Sequence, residues 1–283
     1  MGRLKTTIID ELFSQRSANK YELSILIGVD SLLYLVFNQQ RHVLLLKEYT
    51  LEAESSLQGE RILKLFEEDR LLKLPYLTVK VAFLGQKQLF VPNRLYHPDQ
   101  KRIYLNHVAN LSISEVVKSD DLSLLRAQNI YATDRAVLNL MQQMYPRAKF
   151  FHSTSALYLG YRQHCEPGKG NVFLNVRDEH LQLFFFQERE LLYSNAFQVE
   201  NAEDLVYYIM MLFQQFNLSG KTQKVQVTGD FQENSDYHRT LSRYVKQIYA
   251  LKEIQDFQYS ETTRRQLNTH AFFDLLSLPL CGQ

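Results

Sequence analysis

Apolar and polar positions alternate in one recurring order along this chain. A run from Leu23 to Ile27 ends at the polar turn Val29-Asp30-Ser31, and a second run, Leu32–Phe37, ends at Gln39-Gln40-Arg41 before a third run begins. The same order returns as Asn171–Val176, the turn Arg177-Asp178-Glu179, Leu181–Phe186, the turn Gln187-Glu188-Arg189 and a third run. Short β-branched or aromatic runs separated by polar turns predict a three-stranded meander in each place. Apolar residues then recur near every 3.6 positions. Leu57, Ile62, Leu63, Leu65 and Phe66 do so in the first copy, and Leu205, Ile209, Leu212, Phe213 and Phe216 in the second. Each set predicts an amphipathic helix facing a sheet.

The two copies align without a gap at a shift of 148 residues, the distance from Asp30 to Asp178. Apolar matches such as Leu26 with Leu174, Leu35 with Leu183 and Phe37 with Phe185 are joined by polar ones: Gln39 with Gln187, Arg41 with Arg189, Glu52 with Glu200 and Lys73 with Lys221. Core chemistry accounts for the leucines, but polar identities in the same frame point to an internal duplication. Further strands and helices follow each copy: Asn129–Ala132, Arg135–Tyr145 and Ala148–Phe151 in the first, and Val225–Thr228, Tyr237–Tyr249 and a run around Leu251–Phe257 in the second. Residues 76–121 have no counterpart and read as an insertion. The expected division is a first domain over 1–165 and a second over 166–283. The apolar C-terminal segment Phe272–Leu278 must be buried, and docking on its own chain is expected.

A duplicated β-β-β-α-β-α-β unit resembles the ribonuclease-H-like arrangement of the actin and sugar-kinase superfamily. The segment FFHSTSALYLGYRQH before the second meander is similar to the EPTAAALAYG crossover helix of the heat-shock chaperone ATPases. The pattern also resembles the actin-like proteins of type IV pilus and secretion assemblies. With FVPNRLYHP and HAFFDLLSLPLCG included, it looks closest to a bacterial domain-of-unknown-function family with an actin-like ATPase fold. The resemblance implies an α/β protein of two ribonuclease-H-like units, each with a mixed five-stranded sheet and helices.

It also implies where a nucleotide would sit. In the superfamily an Asp at each meander turn is followed by glycine and Ser or Thr, so that bare backbone N–H groups reach the phosphates. The matching positions here are Asp30 and Ser31 in the first turn and Arg177 and Asp178 in the second. Thr228 and Gly229 stand where paired glycines would hold the adenosine. The second turn has no glycine, and Asp178 with Glu179 would repel phosphate. ATP and Mg are therefore disfavoured as cofactors, and the site reads as a degenerate nucleotide site with no catalytic residue. The function expected is a non-catalytic scaffold or interaction protein; the alternative is a weak ATP-binding protein or ATPase using the cleft between the two domains.

Composition narrows the rest. Net charge is +1, with 32 Lys and Arg against 31 Asp and Glu, so no electrostatic footprint for nucleic acid exists. No apolar run is long enough for a membrane span, and the opening MGRLKTTIIDELFSQRS lacks the apolar stretch of a secretory signal. Two cysteines, Cys165 and Cys281, suit a reducing cytoplasm, where an unidentified protein partner is expected. The run Glu166-Pro167-Gly168-Lys169-Gly170 lacks the spacing of a P-loop, and His152, His164 and Cys165 lack metal-ligand spacing.

Overall fold

The structure, a computed structural model, describes residues 2–51, 57–251 and 257–282. In chain order the first part gives β1 (Gly2–Ile9), β2 (Tyr21–Ile27), β3 (Ser31–Asn38), β4 (Val43–Leu51), α1 (Gln58–Glu68), β5 (Thr78–Phe83) and β6 (Gln88–Pro92). It continues with α2 (Lys101–Asn106), β7 (Glu115–Leu122), β8 (Ala127–Asp134), α3 (Arg135–Met144), β9 (Lys149–His152) and α4 (Ser153–Gln163). The second part gives β10 (Gly170–Arg177), β11 (His180–Gln187), β12 (Glu190–Gln198), α5 (Ala202–Gln215) and β13 (Lys224–Gly229). It ends with α6 (Asp236–Leu241), β14 (Gln247–Ala250), α7 (Glu261–Gln266) and α8 (Phe273–Ser277). Two compact units result. One holds residues 1–156, 255–267 and 278–283, and the other holds 157–254 and 268–277.

The first unit has the sheet order β1-β4-β3-β2-β5-β9 and the second β12-β11-β10-β13-β14. Apart from β1, which adds an antiparallel edge strand to β4, the two orders are the same. The duplication read from the sequence is therefore a duplication of topology, and Asp30 and Asp178 both stand in the first meander turn. Pairing is not identical in the two. Leu26 faces Leu33 across the first hairpin, whereas Leu174 faces Leu183 across the second, a slide of two residues relative to the gapless alignment. A two-residue slide keeps every side chain on its face, because strand side chains alternate with period two. The match of Glu52 with Glu200 involves a residue outside those described.

Both sheets are covered on both faces, which is why β2, β3, β10 and β11 are apolar almost throughout. Leu26, Leu35, Phe37, Leu174, Leu183 and Phe185 are all buried. In the first unit α1 lays Ile62, Leu65 and Phe66 on the sheet beside Val137, Leu138 and Met141 of α3. In the second, α5 places Leu205, Ile209, Leu212 and Phe213 against β10 and β11. Helix starts follow local chemistry. Asp134 accepts from the N–H groups of Ala136 and Val137 at α3, and Asn201 accepts from Asp204 N–H at α5.

Three expectations need correction. The strand expected at Asn129–Ala132 does not join the meander sheet; it lies in β8, centre of a separate three-stranded sheet, β6-β8-β7. The fourth strand of the first meander sheet is β5, parallel to β2 and inside the segment expected to be inserted. The material added to the repeat thus runs from the end of β5 to α3, not over 76–121. The helix expected over Tyr237–Tyr249 stops at Leu241 in α6, and its tail is β14, parallel to β13. Parallel pairing with β13, Val225 opposite Ile248, makes that tail a strand. Of the run expected around Leu251–Phe257, residues 252–256 lie outside those described.

Phe185 packs its ring 4.7 Å from that of Phe216 under the second sheet. Phe185→Ala is expected to cost about 3–5 kcal/mol in a urea melt, as for other buried aromatics; a loss below about 1 kcal/mol would show that this face is not core.

Candidate functional site

The first meander turn is tied down by α1. Gly28 N–H donates to Ser31 O at 2.9 Å and closes the turn. Gln58 Nε2 donates to the carbonyls of Gly28 (2.6 Å) and Val29 (3.2 Å). Arg61 Nη1 bridges Asp30 Oδ1 and Leu51 O, each at 3.1 Å. Asp30 is mostly exposed, while Ser31 is buried at the start of β3. The turn thus carries one acid, already facing a guanidinium, and one buried hydroxyl. Gln58 and Arg61 had no signal in the sequence beyond their place on the polar side of an amphipathic helix.

The second turn is built differently. Asp178 and Glu179 alone separate the paired residues Arg177 and His180, and both take left-handed backbone, with φ of 49° and 60°. That is the type I′ hairpin geometry, which glycine or asparagine adopts most readily and other residues adopt at a cost of roughly 1–2 kcal/mol each. The turn is held by Val199 N–H donating to Glu179 O at 2.8 Å and by a 2.6 Å contact between His180 Nδ1 and Asp178 O.

Arg177 points inward. Its side chain is 1% exposed and pairs with Asp274 of α8, itself 0% exposed, through Nε at 2.5 Å and Nη2 at 3.2 Å. Nη2 also donates to Ala271 O. The guanidinium expected to offer a charged phosphate contact is therefore committed to the C-terminal segment. Phe272, Phe273, Leu275 and Leu276 bury that segment as expected. Tyr161 of α4 stacks on Phe273 and Phe173 with ring centres 5.0 and 4.6 Å away. At Gly160 a Cβ would come within 2.3 Å of Ser277 Oγ, so only glycine admits α8 this closely.

Thr228 and Gly229 end β13 beside Asn175 and Val176 of β10, so the structure brings Arg177, Asp178, Thr228 and Gly229 to one strand end. Thr228 is fully buried. Its hydroxyl meets Leu174 O (3.1 Å), Asn175 Oδ1 (3.0 Å) and the Tyr161 hydroxyl (2.5 Å). Gly229 has φ of 77°, and a Cβ there would lie 2.1 Å from Val176 O. Asp230 N–H donates to that same carbonyl at 2.7 Å. The glycine is thus explained by the close approach of two strands.

A second polar cluster was not legible in the sequence. Asp120 of β7 is buried, and its Oδ2 accepts from His152 N–H (2.8 Å) and the Ser155 hydroxyl (2.6 Å) at the start of α4. Asn129 Nδ2 donates to Ser155 Oγ at 2.9 Å. Burial pushes the Asp120 carboxyl up to about 7, against the pull of those donors and the Tyr131 hydroxyl. The signal available was an acid within an alternating strand, which any edge strand can show.

Comparison with known proteins places these features. The chain belongs to the family described as Protein of unknown function (DUF3822), which matches residues 10–248. It is similar in structure to a Bacteroides thetaiotaomicron protein with actin-like ATPase fold and unknown function: TM-score 0.81, 17% identity, 95% of this chain and 99% of that one. It is also similar to a chain of the PilM-PilN type IV pilus biogenesis complex, with TM-score 0.65, 13% identity and coverage of 92% and 97%. The ethanolamine utilization protein EutJ from Carboxydothermus hydrogenoformans follows at TM-score 0.50 and 9% identity, covering 97% and 93%. No curated protein matches in sequence. The fold is actin-like. Among the described residues no helix is long and apolar enough to cross a membrane.

Asp274→Ala leaves Arg177 charged, buried and without its carboxylate, and is expected to cost about 3–5 kcal/mol. The double change R177M/D274L should recover most of that loss in chemical melts, because it removes both charges. For Asp120, a folded-state value raised above the unfolded one means that the native state holds a proton which the unfolded chain has lost. Stability should therefore fall by a few kcal/mol as pH rises from about 4 to about 7. Burial holds His164 and His270 below the usual imidazole range, and they act in the opposite direction below about pH 6.5. The quantity to measure is accordingly wild type minus Asp120→Asn, whose slope should vanish above about pH 7 and below about pH 4.

Proposed function

We propose that this DUF3822 member is a non-catalytic scaffold that keeps the actin-like fold and works in the cytoplasm through contact with a protein partner, its former phosphate turns serving as structural hairpins. The single observation that carries this reading is the Arg177–Asp274 pair. The one cation of the second turn is spent inside the protein, while the two residues that remain in the turn, Asp178 and Glu179, are both acids. A charged hydrogen bond is worth roughly 1.5–3 kcal/mol. Losing two of them moves a micromolar phosphate site to about millimolar or weaker. The bonds around Gly28, Asp30 and Gly229 support the same reading, since each serves the turn or strand in which it lies. The PilM-PilN complex offers an example of this fold held in an assembly with another protein.

Mg-ATP decides between scaffold and ATP-binding protein. With about 5 mM Mg-ATP, a Kd near 50 μM would add about 2.7 kcal/mol, and a Kd near 5 mM only about 0.4 kcal/mol. The expected result is a shift in Tm of about 1 °C or less. A rise above about 4 °C, not reproduced by tripolyphosphate and lost in Asp30→Ala, would overturn the scaffold reading.

A further inference from the structure

The sheet of the first unit carries different chemistry at its two ends. The end holding Gly28, Val29 and Asp30 is closed by Gln58 and Arg61. At the other end, where β2, β5 and β9 begin, lies a cavity of about 990 Å³. Among the described residues five cations line it, Arg41, Lys73, Lys80, Arg147 and Lys149, against one carboxylate, Glu22. The whole chain is balanced at 32 to 31, so five to one is a local concentration. Glu22 accepts the Thr78 hydroxyl at 3.0 Å, and among the described residues none of the five cations makes a salt bridge.

The charges are also crowded. Lys80 Nζ donates to two neutral acceptors, Pro279 O (2.8 Å) and Cys281 O (2.6 Å). Burial lowers its pKa first, with repulsion from Arg41 and Lys149 adding to it and Cys281 and Glu22 opposing. Arg41 is held over the rings of Phe37 and Phe257, 5.4 and 5.7 Å from their centres, and its Nη1 is buried with no hydrogen-bond acceptor among the described residues. A buried donor without an acceptor is a standing cost, and an anionic oxygen would relieve it. Beneath the cations the lining is apolar, with Leu72, Pro75, Tyr145 and Pro146.

We propose that this cavity binds a small amphipathic organic anion, with a carboxylate or phosphate group among the five cations and an aromatic or aliphatic body on the apolar lining. The volume matches the roughly 300–1,000 Å³ of ordinary small-molecule sites. An inorganic anion would leave the apolar lining wet, and a neutral apolar molecule would leave the cations uncompensated. The proposal does not depend on the scaffold reading.

The test uses the full chain and two fluorescent probes of nearly equal shape, 8-anilinonaphthalene-1-sulfonate and the uncharged N-phenyl-1-naphthylamine. The sulfonate should bind about tenfold more tightly than the neutral dye. It should be displaced by decanoate or decyl phosphate, but not by decanol or inorganic phosphate. Arg147 and Lys149 are exposed, so R147Q/K149Q should keep its Tm while weakening the sulfonate about tenfold. Arg41→Gln probes the buried guanidinium, and if it fails to fold the exposed pair still decides. Equal affinity for both dyes, or unchanged affinity in R147Q/K149Q, would overturn the proposal.

Discussion

A guanidinium and a carboxylate, each stripped of water, hold the second unit to its present form. Moving either ion out of water costs several kcal/mol, and only close, multiple contacts return it. Arg177 finds them in both Asp274 oxygens and the Ala271 carbonyl. Gly160 leaves room for α8, Tyr161 stacks on Phe273, and the apolar residues flanking Asp274 exclude solvent. A pair of this kind contributes little to net stability, since apolar replacements of similar volume often fill such sites at similar or lower cost. Its consequence here is positional: it fixes the C-terminal segment against the end of β10.

That commitment separates two turns at equivalent places in the two sheets. Both meanders place an Asp between their first two strands, yet Asp30 is exposed beside Arg61, whereas Asp178 sits in left-handed backbone with a second acid after it. The two-residue slide in hairpin pairing accompanies this difference. It leaves the buried faces intact, so hydrophobic burial could not resist it, and the turn was at liberty to shorten. Strand faces are constrained by parity, and turn chemistry is constrained only by what the turn must bind.

The same distinction explains what was legible in the sequence. The fold was readable because burial on both faces of a sheet forces apolar runs, and helices facing it force a period near 3.6. Leu26, Leu35, Phe37 and their partners 148 residues later carry that signal in the open. The fourth strand of the first sheet was misassigned because β8, with Ile130 and Tyr131 buried, is as strand-like as β5, and periodicity does not say which sheet a strand joins. Arg177 was legible as a residue of the turn but not in its direction. Its partner lies 97 positions away in the chain, and nothing local foretells a contact at that separation. Asp120 escaped notice for the same reason, since its donors come from β9 and α4.

Polar groups in this protein thus divide by whether their partners are internal. Where they are, as for Arg177 with Asp274 or Asp69 with Tyr34, Tyr49 and Lys47, the network is closed and the residues serve the fold. Asp69 shows how complete such closure becomes: a buried carboxylate takes two tyrosine hydroxyls, an ammonium and Leu71 N–H, and despite burial its pKa is held below the usual carboxylate value. A chain with nearly equal numbers of acids and bases can pair cations internally, as Lys47 does with Asp69 and Arg61 with Asp30. Among the described residues, cations without a salt bridge gather on a concave, partly apolar surface where β2, β5 and β9 begin. Folding alone gives no reason to gather five cations there, because their mutual repulsion opposes it. The meander turns of the two sheets make their bonds within their own units, and the cations without salt bridges among the described residues lie at the opposite end of the first sheet.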